Sequence, residues 1–167
     1  MFDAASASDG ALERANGTTR LRFGTDGARR FVMERYASAP ARLMTPAGEG
    51  VPEAVLANTS GGLAGGDRMS VSVDVEPGAK GVVSGQAAER VYRALDRPAK
   101  VKTTLTVEAN ARLQWLPQET ILYNGGHLER QINVRLGAGA GVLMCEALVF
   151  GREAFSENFD HGRLTDI

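Results

Sequence analysis

The strongest constraint on the fold is a loose repeat that carries strand, turn and strand signals at a fixed spacing. Val75-Glu76-Pro77-Gly78-Ala79-Lys80-Gly81-Val82-Val83 is echoed by Val107-Glu108-Ala109-Asn110-Ala111-Arg112-Leu113-Gln114-Trp115. Leu136-Gly137-Ala138-Gly139-Ala140-Gly141-Val142-Leu143-Met144 echoes both. Each copy ends a strand, turns on small residues centred on Gly or Asn, and opens a new strand. Gly and Asn tolerate the left-handed backbone that such turns demand. Copies roughly 30 residues apart predict units that bury their apolar faces by stacking, as strand pairs of a sandwich or coils of a short β-solenoid.

Period-two alternation supports that reading. Met69, Val71, Val73 and Val75 alternate with Ser70, Ser72, Asp74 and Glu76, and Val101, Thr103, Leu105 and Val107 repeat the pattern. Such alternation marks a strand with one buried face. Leu128, Arg130, Ile132, Val134 and Leu136 do the same with a base at one inward position. Leu113, Trp115, Ile121 and Leu122 join this apolar face or adjoining strands. Upstream, Leu21 and Phe23, the turn Gly24-Thr25-Asp26-Gly27 and then Phe31-Val32-Met33 predict a hairpin. Pro40, Pro46 and Pro52 argue against a helix in the following segment. Val142 to Phe150 is almost continuously apolar and predicts a strand covered on both sides, with Cys145 a small buried residue inside it. Gln86 to Leu95 is open between a helix, through Ala87, Ala88, Val91 and Ala94, and a strand at Val91-Tyr92. Residues 1–17 are expected to form a flexible leader and 18–167 a single domain. The expected class is all-β, solenoid-like or sandwich-like, with at most one or two short helices.

Several functional classes are excluded by composition. A net charge of −1, with no basic run longer than Arg29-Arg30, leaves no electrostatic footprint for nucleic acid. One cysteine, Cys145, makes no internal disulfide and favours a reducing compartment. No signal-like start and no apolar stretch near ~18 residues is found, so a cytoplasmic protein without a membrane span is expected.

Catalytic motifs are scarce. His127, His161 and Cys145 are far apart in sequence and form no metal-binding motif. The glycine-rich stretch Asn58-Thr59-Ser60-Gly61-Gly62-Leu63-Ala64-Gly65-Gly66-Asp67-Arg68 invites a phosphate-loop reading. It ends in an acid and runs into a strand, whereas a phosphate loop ends in Lys-Ser/Thr and opens a helix. Neither Ser60 nor Ser84 sits in the Gly-x-Ser-x-Gly elbow. No nucleophile, base and anion hole assemble, and a non-enzymatic role is expected. What remains are acids and amides in ordered segments: Asp67, Glu89, Gln118, Glu119, Glu146 and Glu153. Glu146 has apolar or small neighbours, so it is either paired, with Arg130 the available base, or placed on an exposed edge.

Four stretches together resemble the UreD (UreH) family of urease accessory proteins. They are Asn58 to Arg68, Gln86 to Arg93, Leu116-Pro117-Gln118-Glu119-Thr120-Ile121-Leu122-Tyr123, and Glu146-Ala147-Leu148-Val149-Phe150-Gly151-Arg152. The resemblance covers residues 18 to 160 and departs at Ser84-Gly85, where the family usually has Thr-Thr or Thr-Ser. Family chains also usually run longer, so the resemblance implies that a C-terminal part is lacking. It implies a maturation factor, or chaperone, that binds UreF and through it the GTPase UreG, and that contacts urease subunits. It further implies nickel in transit through an internal route, with no tightly bound cofactor and no stable metal site. Carried over by position, Asp67, Arg68, Glu89, Glu119 and Glu146 are the candidates for the nickel route or partner contact. Gly61, Gly62, Gly65 and Gly66 are the structural glycines of the loop. Two alternatives stand beside this: a small-molecule enzyme on a cupin-like scaffold with a His/Glu triad, and an inert fragment.

Overall fold

The alternating segments form strands, and the small-residue turns send each new strand onto a different face of a three-sided stack. The structure, a computed structural model, describes residues 13–167. Its strands are β1 (Asn16–Thr25), β2 (Arg30–Ser38), β3 (Ala41–Met44), β4 (Glu53–Asn58), β5 (Arg68–Val75), β6 (Lys80–Gly85) and β7 (Glu89–Val91). There follow β8 (Ala99–Val107), β9 (Arg112–Leu116), β10 (Thr120–Leu122), β11 (His127–Leu136), β12 (Gly141–Met144), β13 (Leu148–Phe150) and β14 (Arg163–Asp166). Glu153–Phe155 makes one 3₁₀ turn, and no α-helix forms among the described residues.

The first sheet has the order β14-β11-β8-β5-β1-β2, the second β12-β9-β6-β4-β3 and the third β13-β10-β7. Pairing is parallel throughout, except for β1 with β2 and β3 with β4 at one end. Parallel neighbours need a crossover of a dozen or more residues. Here the crossover is the rest of the coil: β5-β6-β7 lies over β8-β9-β10, which lies over β11-β12-β13. This is a β-solenoid, with the hairpin β1–β2 as expected, and it is not the barrel that a cupin-like enzyme would need.

The repeated turns form one column along the stack. Gly78 N–H donates to Ala109 O at 2.9 Å, and Asn110 N–H to Ala138 O at 2.9 Å. Gly78, Asn110 and Gly139 all have positive φ, of 70°, 58° and 67°. The copies therefore pair with each other coil to coil, each strand with its equivalent in the next copy.

Inward positions form ladders across coils. Leu21, Val73 and Leu105 share one register line, and Phe23, Val75 and Val107 another. With Val83, Leu113 and Trp115 they make the larger apolar core. A second core gathers Leu63, Val91, Ala99, Leu122 and Leu128 against the third sheet.

Two expectations are corrected. Val142 to Phe150 is not one doubly covered strand: β12 and β13 are separate edge strands on different sheets, joined by Cys145-Glu146-Ala147 at a corner. Cys145 is exposed, because the chain changes face at that corner. The alternative left open at Gln86 to Leu95 resolves to the strand β7, with no helix, and Ala87 and Ala88 sit at the same corner two levels away. As for the leader, residues 1–12 lie outside the described residues, and β1 begins at Asn16.

Candidate functional site

The four stretches that carry the family resemblance are stacked at one corner of the solenoid. Asn58 to Leu63, Gln86 to Val91, Leu116 to Leu122 and Glu146 to Phe150 each leave the second sheet and enter, or bridge to, the third. Backbone hydrogen bonds tie them level to level. Gln86 N–H donates to Leu56 O, Leu63 N–H to Arg90 O, Glu89 N–H to Glu119 O and Thr120 N–H to Ala147 O, at 2.7–2.9 Å. The glycine loop closes tightly on this column. At Gly62, φ is +148° and a Cβ would come within 2.6 Å of the Tyr92 ring and 2.8 Å of Arg90 O, so no side chain fits. Tyr92 Oη donates to Gly61 O at 2.7 Å and fastens the loop.

Between the two apolar cores, and open to solvent at this corner, lies a cavity of about 240 Å³. It extends over successive coils, from Asn58, Gly61 and Gly62, past Glu89 and Thr103, to Arg130 and Glu146. Its lining is mixed: the buried hydroxyls of Thr19 and Thr103 stand among Met69, Val71, Val101 and Leu128 of the first sheet, and that of Thr120 belongs to the third.

Glu89 belongs to the same inward ladder as Thr120 and Leu148. Its carboxylate accepts two hydrogen bonds from Asn58 Nδ2, at 3.1 and 3.2 Å. Burial pushes its pKa up from 4.5 to about 7, a rise that the Asn58 hydrogen bond and Arg90 offset only in part. Near neutral pH this group is divided between its protonated and charged forms.

Glu146 lies two levels further along the stack, about 10 Å at the inter-strand spacing. Trp115 Nε1 donates to its Oε1 at 2.8 Å, and Arg130 Nη1 lies 3.2 Å from its Oε2. Arg130 also forks onto Asp166, with Nε to Oδ1 at 3.0 Å. Burial works against the guanidinium's charge, but Asp166 and Glu146 outweigh it and hold the Arg130 pKa above the usual arginine value. Of the two alternatives that the sequence left open for Glu146, the structure shows the pairing with Arg130.

The other candidates lie elsewhere. Asp67 is buried and its two oxygens accept backbone N–H groups, Ala15 at 2.9 Å and Ala64 at 2.8 Å. It caps the loop and ties it to the start of β1. Arg68 is exposed on the first sheet, and neither it nor Asp67 lines the cavity. Glu119 contributes its carbonyl to Glu89 N–H and is also absent from the cavity lining. Gly61 and Gly62 border the cavity, whereas Gly65 packs against Arg97 and Ala94 and Gly66 against Arg14. Sequence reasoning missed Asn58 as the Glu89 partner, the three buried threonines and Asp166. A threonine at an inward position of the Val101 to Val107 alternation was the available signal.

Two carboxylates two levels apart offer an ion one or two oxygen ligands at a time. Among the described residues, no three His, Cys, Asp or Glu side chains converge as a metal cage. His127 and His161, distant in sequence, do meet in a second cleft with Arg93 and Arg163. Two guanidiniums there make a poor surrounding for a cation.

The sequence matches the UreD urease accessory protein family over residues 15–167. The chain belongs to this family. It is similar to the urease accessory protein UreD of Paracoccus denitrificans, 40% identical over 166 residues that make up 99% of this chain and 58% of the relative. With UreD of Brucella suis it shares 42% identity over 158 residues, 94% of this chain and 57% of the relative. UreD 3 of a Bradyrhizobium species is 40% identical over 168 residues, 98% of this chain and 60% of the relative. The chain thus spans somewhat more than half the length of these curated relatives. No helix among the described residues is long and apolar enough to cross a membrane.

Proposed function

We propose that this chain serves urease maturation as a cytoplasmic scaffold whose cavity passes nickel toward apo-urease. The observation that carries the reading is the cavity itself. Its wall is built by the stacked stretches that mark the family, and it presents Glu89 and Glu146 at separate levels. Borderline divalent cations such as nickel accept oxygen ligands. One or two at a time hold such an ion loosely enough to release it, while a complete cage would trap it. Glu89 adds a proton that can leave when a cation arrives and return when it departs.

In this reading the protein performs no catalysis. It binds a UreF-type partner and, through it, the UreG GTPase that supplies the metal. Co-expression with UreF, UreG and the urease subunits, followed by affinity capture, is expected to yield a complex. Capture of none of these partners would sink the scaffold role. In the intact complex, Glu89→Ala is expected to lower the nickel content of captured urease several-fold. Unchanged nickel content would remove the cavity from the route.

A further inference from the structure

Arg130 puts a positive charge where a passage for cations would be expected to carry none. It continues an inward ladder of the first sheet, after Gly17, Met69 and Val101, and its side chain is only 10% exposed. The rung beyond it is Asp166 on β14. Arg130, Glu146 and Trp115 all border the cavity. Both Glu146 oxygens are occupied, one by the Trp115 indole N–H at 2.8 Å and one by the guanidinium at 3.2 Å.

We propose that Arg130 determines which cations use this end of the cavity, by competing with them for Glu146. The inference rests on reading the cavity as a metal passage and assigns its selectivity to one residue. The guanidinium is shared between two carboxylates, so the group of three carries a net negative charge. Asp166 holds it by a two-pronged contact, whereas Glu146 receives one nitrogen. A small rotation toward Asp166 would break the Glu146 contact without leaving the guanidinium unpaired. Buried charge is tolerated only when paired, and Asp166 supplies the alternative partner. A dication attracted strongly enough to outcompete the guanidinium for Glu146 would drive that rotation and take its place. A weakly attracted or monovalent cation competes poorly. Without Arg130, Glu146 would take up cations with no such competition.

Trp115 is the chain's single tryptophan, and its indole rests on Glu146, so a paramagnetic nickel ion there quenches its fluorescence. Nickel chloride is titrated into the unsubstituted protein, Arg130→Met, and Arg130→Met combined with Glu146→Gln. Arg130→Met is expected to quench at nickel concentrations about tenfold lower, because a like charge has left the site. Adding Glu146→Gln should abolish that gain. Asp166→Asn, which leaves Arg130 on Glu146 alone, should shift the curve the opposite way. Arg130→Gln keeps a hydrogen-bond donor for Glu146 and provides the same comparison if the methionine variant loses its cooperative melt. Superimposable curves for the unsubstituted protein and both Arg130 variants would overturn the proposal, as would a gain that survives Glu146→Gln. Calorimetry on Glu89→Gln separates the two levels of inference. Nickel binding that depends on Glu89 but ignores Arg130 overturns the role of Arg130 alone. No nickel binding in any variant overturns the passage with it.

Discussion

Glu89 shows how a single buried acid couples stability to pH. Its folded pKa of about 7 stands above the ordinary 4.5, chiefly because burial disfavours the charged form. Between those values the folded state holds a proton that the unfolded chain has released. Its contribution to stability is therefore complete below the unfolded value and is lost as pH rises through about 7. The whole span is worth about 3 kcal/mol. Glu89→Gln keeps an acceptor for Asn58 and removes the titration. It is expected to melt higher than the parent at pH 8 and no higher at pH 5, as thermal melts at the two values would register. Parallel pH profiles for the two proteins would count against a buried, proton-holding Glu89. Asp67 belongs to the opposite class. Its two backbone hydrogen bonds define a cap, so Asp67→Ala should cost about 2 kcal/mol in a denaturant melt, and Asp67→Asn less. From sequence, Asp67 could be read as a turn cap or as a ligand, because an acid after glycines suits both. The deciding fact, two N–H groups within reach of its two oxygens, is set by the distant Ala15 and by the loop's own return at Ala64.

Strands and turns were legible in the sequence where one face is buried and the other wet. The alternations in β5, β8 and β11 and the hairpin β1–β2 are of this kind, and even the basic inward position of Arg130 was visible. Legibility failed at the corner between the second and third sheets. There the chain makes only three-residue strands, too short to display a period, and small residues leave room for the cavity. Ala87 and Ala88 mimic a helical face for that reason. Val142 to Phe150 mimics a buried strand because Val142 and Leu148 pack against the two cores while Leu143 and Val149 are apolar although exposed. The turn column allows a sharper test. Asn110 stands at φ 58° between glycines above and below it in the stack, at 70° and 67°. Asn110→Gly should change stability by less than about 0.5 kcal/mol, whereas Asn110→Val should cost about 1–2 kcal/mol, since a β-branched residue resists the left-handed region. Equal melting of the two variants would mean that the corner relaxes out of that conformation.

At the scale of the molecule, the ladders that make the core continue to the last coil and become exposed there. Val73 and Leu105 are 0% exposed, yet Val134, next on the same register line, is 38% exposed. Leu136, Leu143, Val149 and Phe150 lie on the outer rungs and are exposed as well, beside the unpaired edges of β12 and β13. An apolar parallel edge is a template for another strand. The curated relatives are longer than the stretch matched here, and additional chain is one means of covering such an edge. By itself, the 167-residue chain is expected to keep a cooperative melt and a sharp near-UV signal from Trp115, because two apolar cores lie inside the described coils. It is also expected to self-associate through the open end as concentration rises, visible as a growing weight-average mass in sedimentation. Leu143→Lys with Val149→Lys places charges on both edge strands and should restore the monomer without lowering the melt by more than about 1 kcal/mol, since both side chains are already exposed. A monomer at every concentration in the unsubstituted chain would show that these edges are protected by their own twist. Loss of the cooperative melt would instead identify the chain as unable to hold the solenoid alone, which is the inert-fragment alternative in physical form.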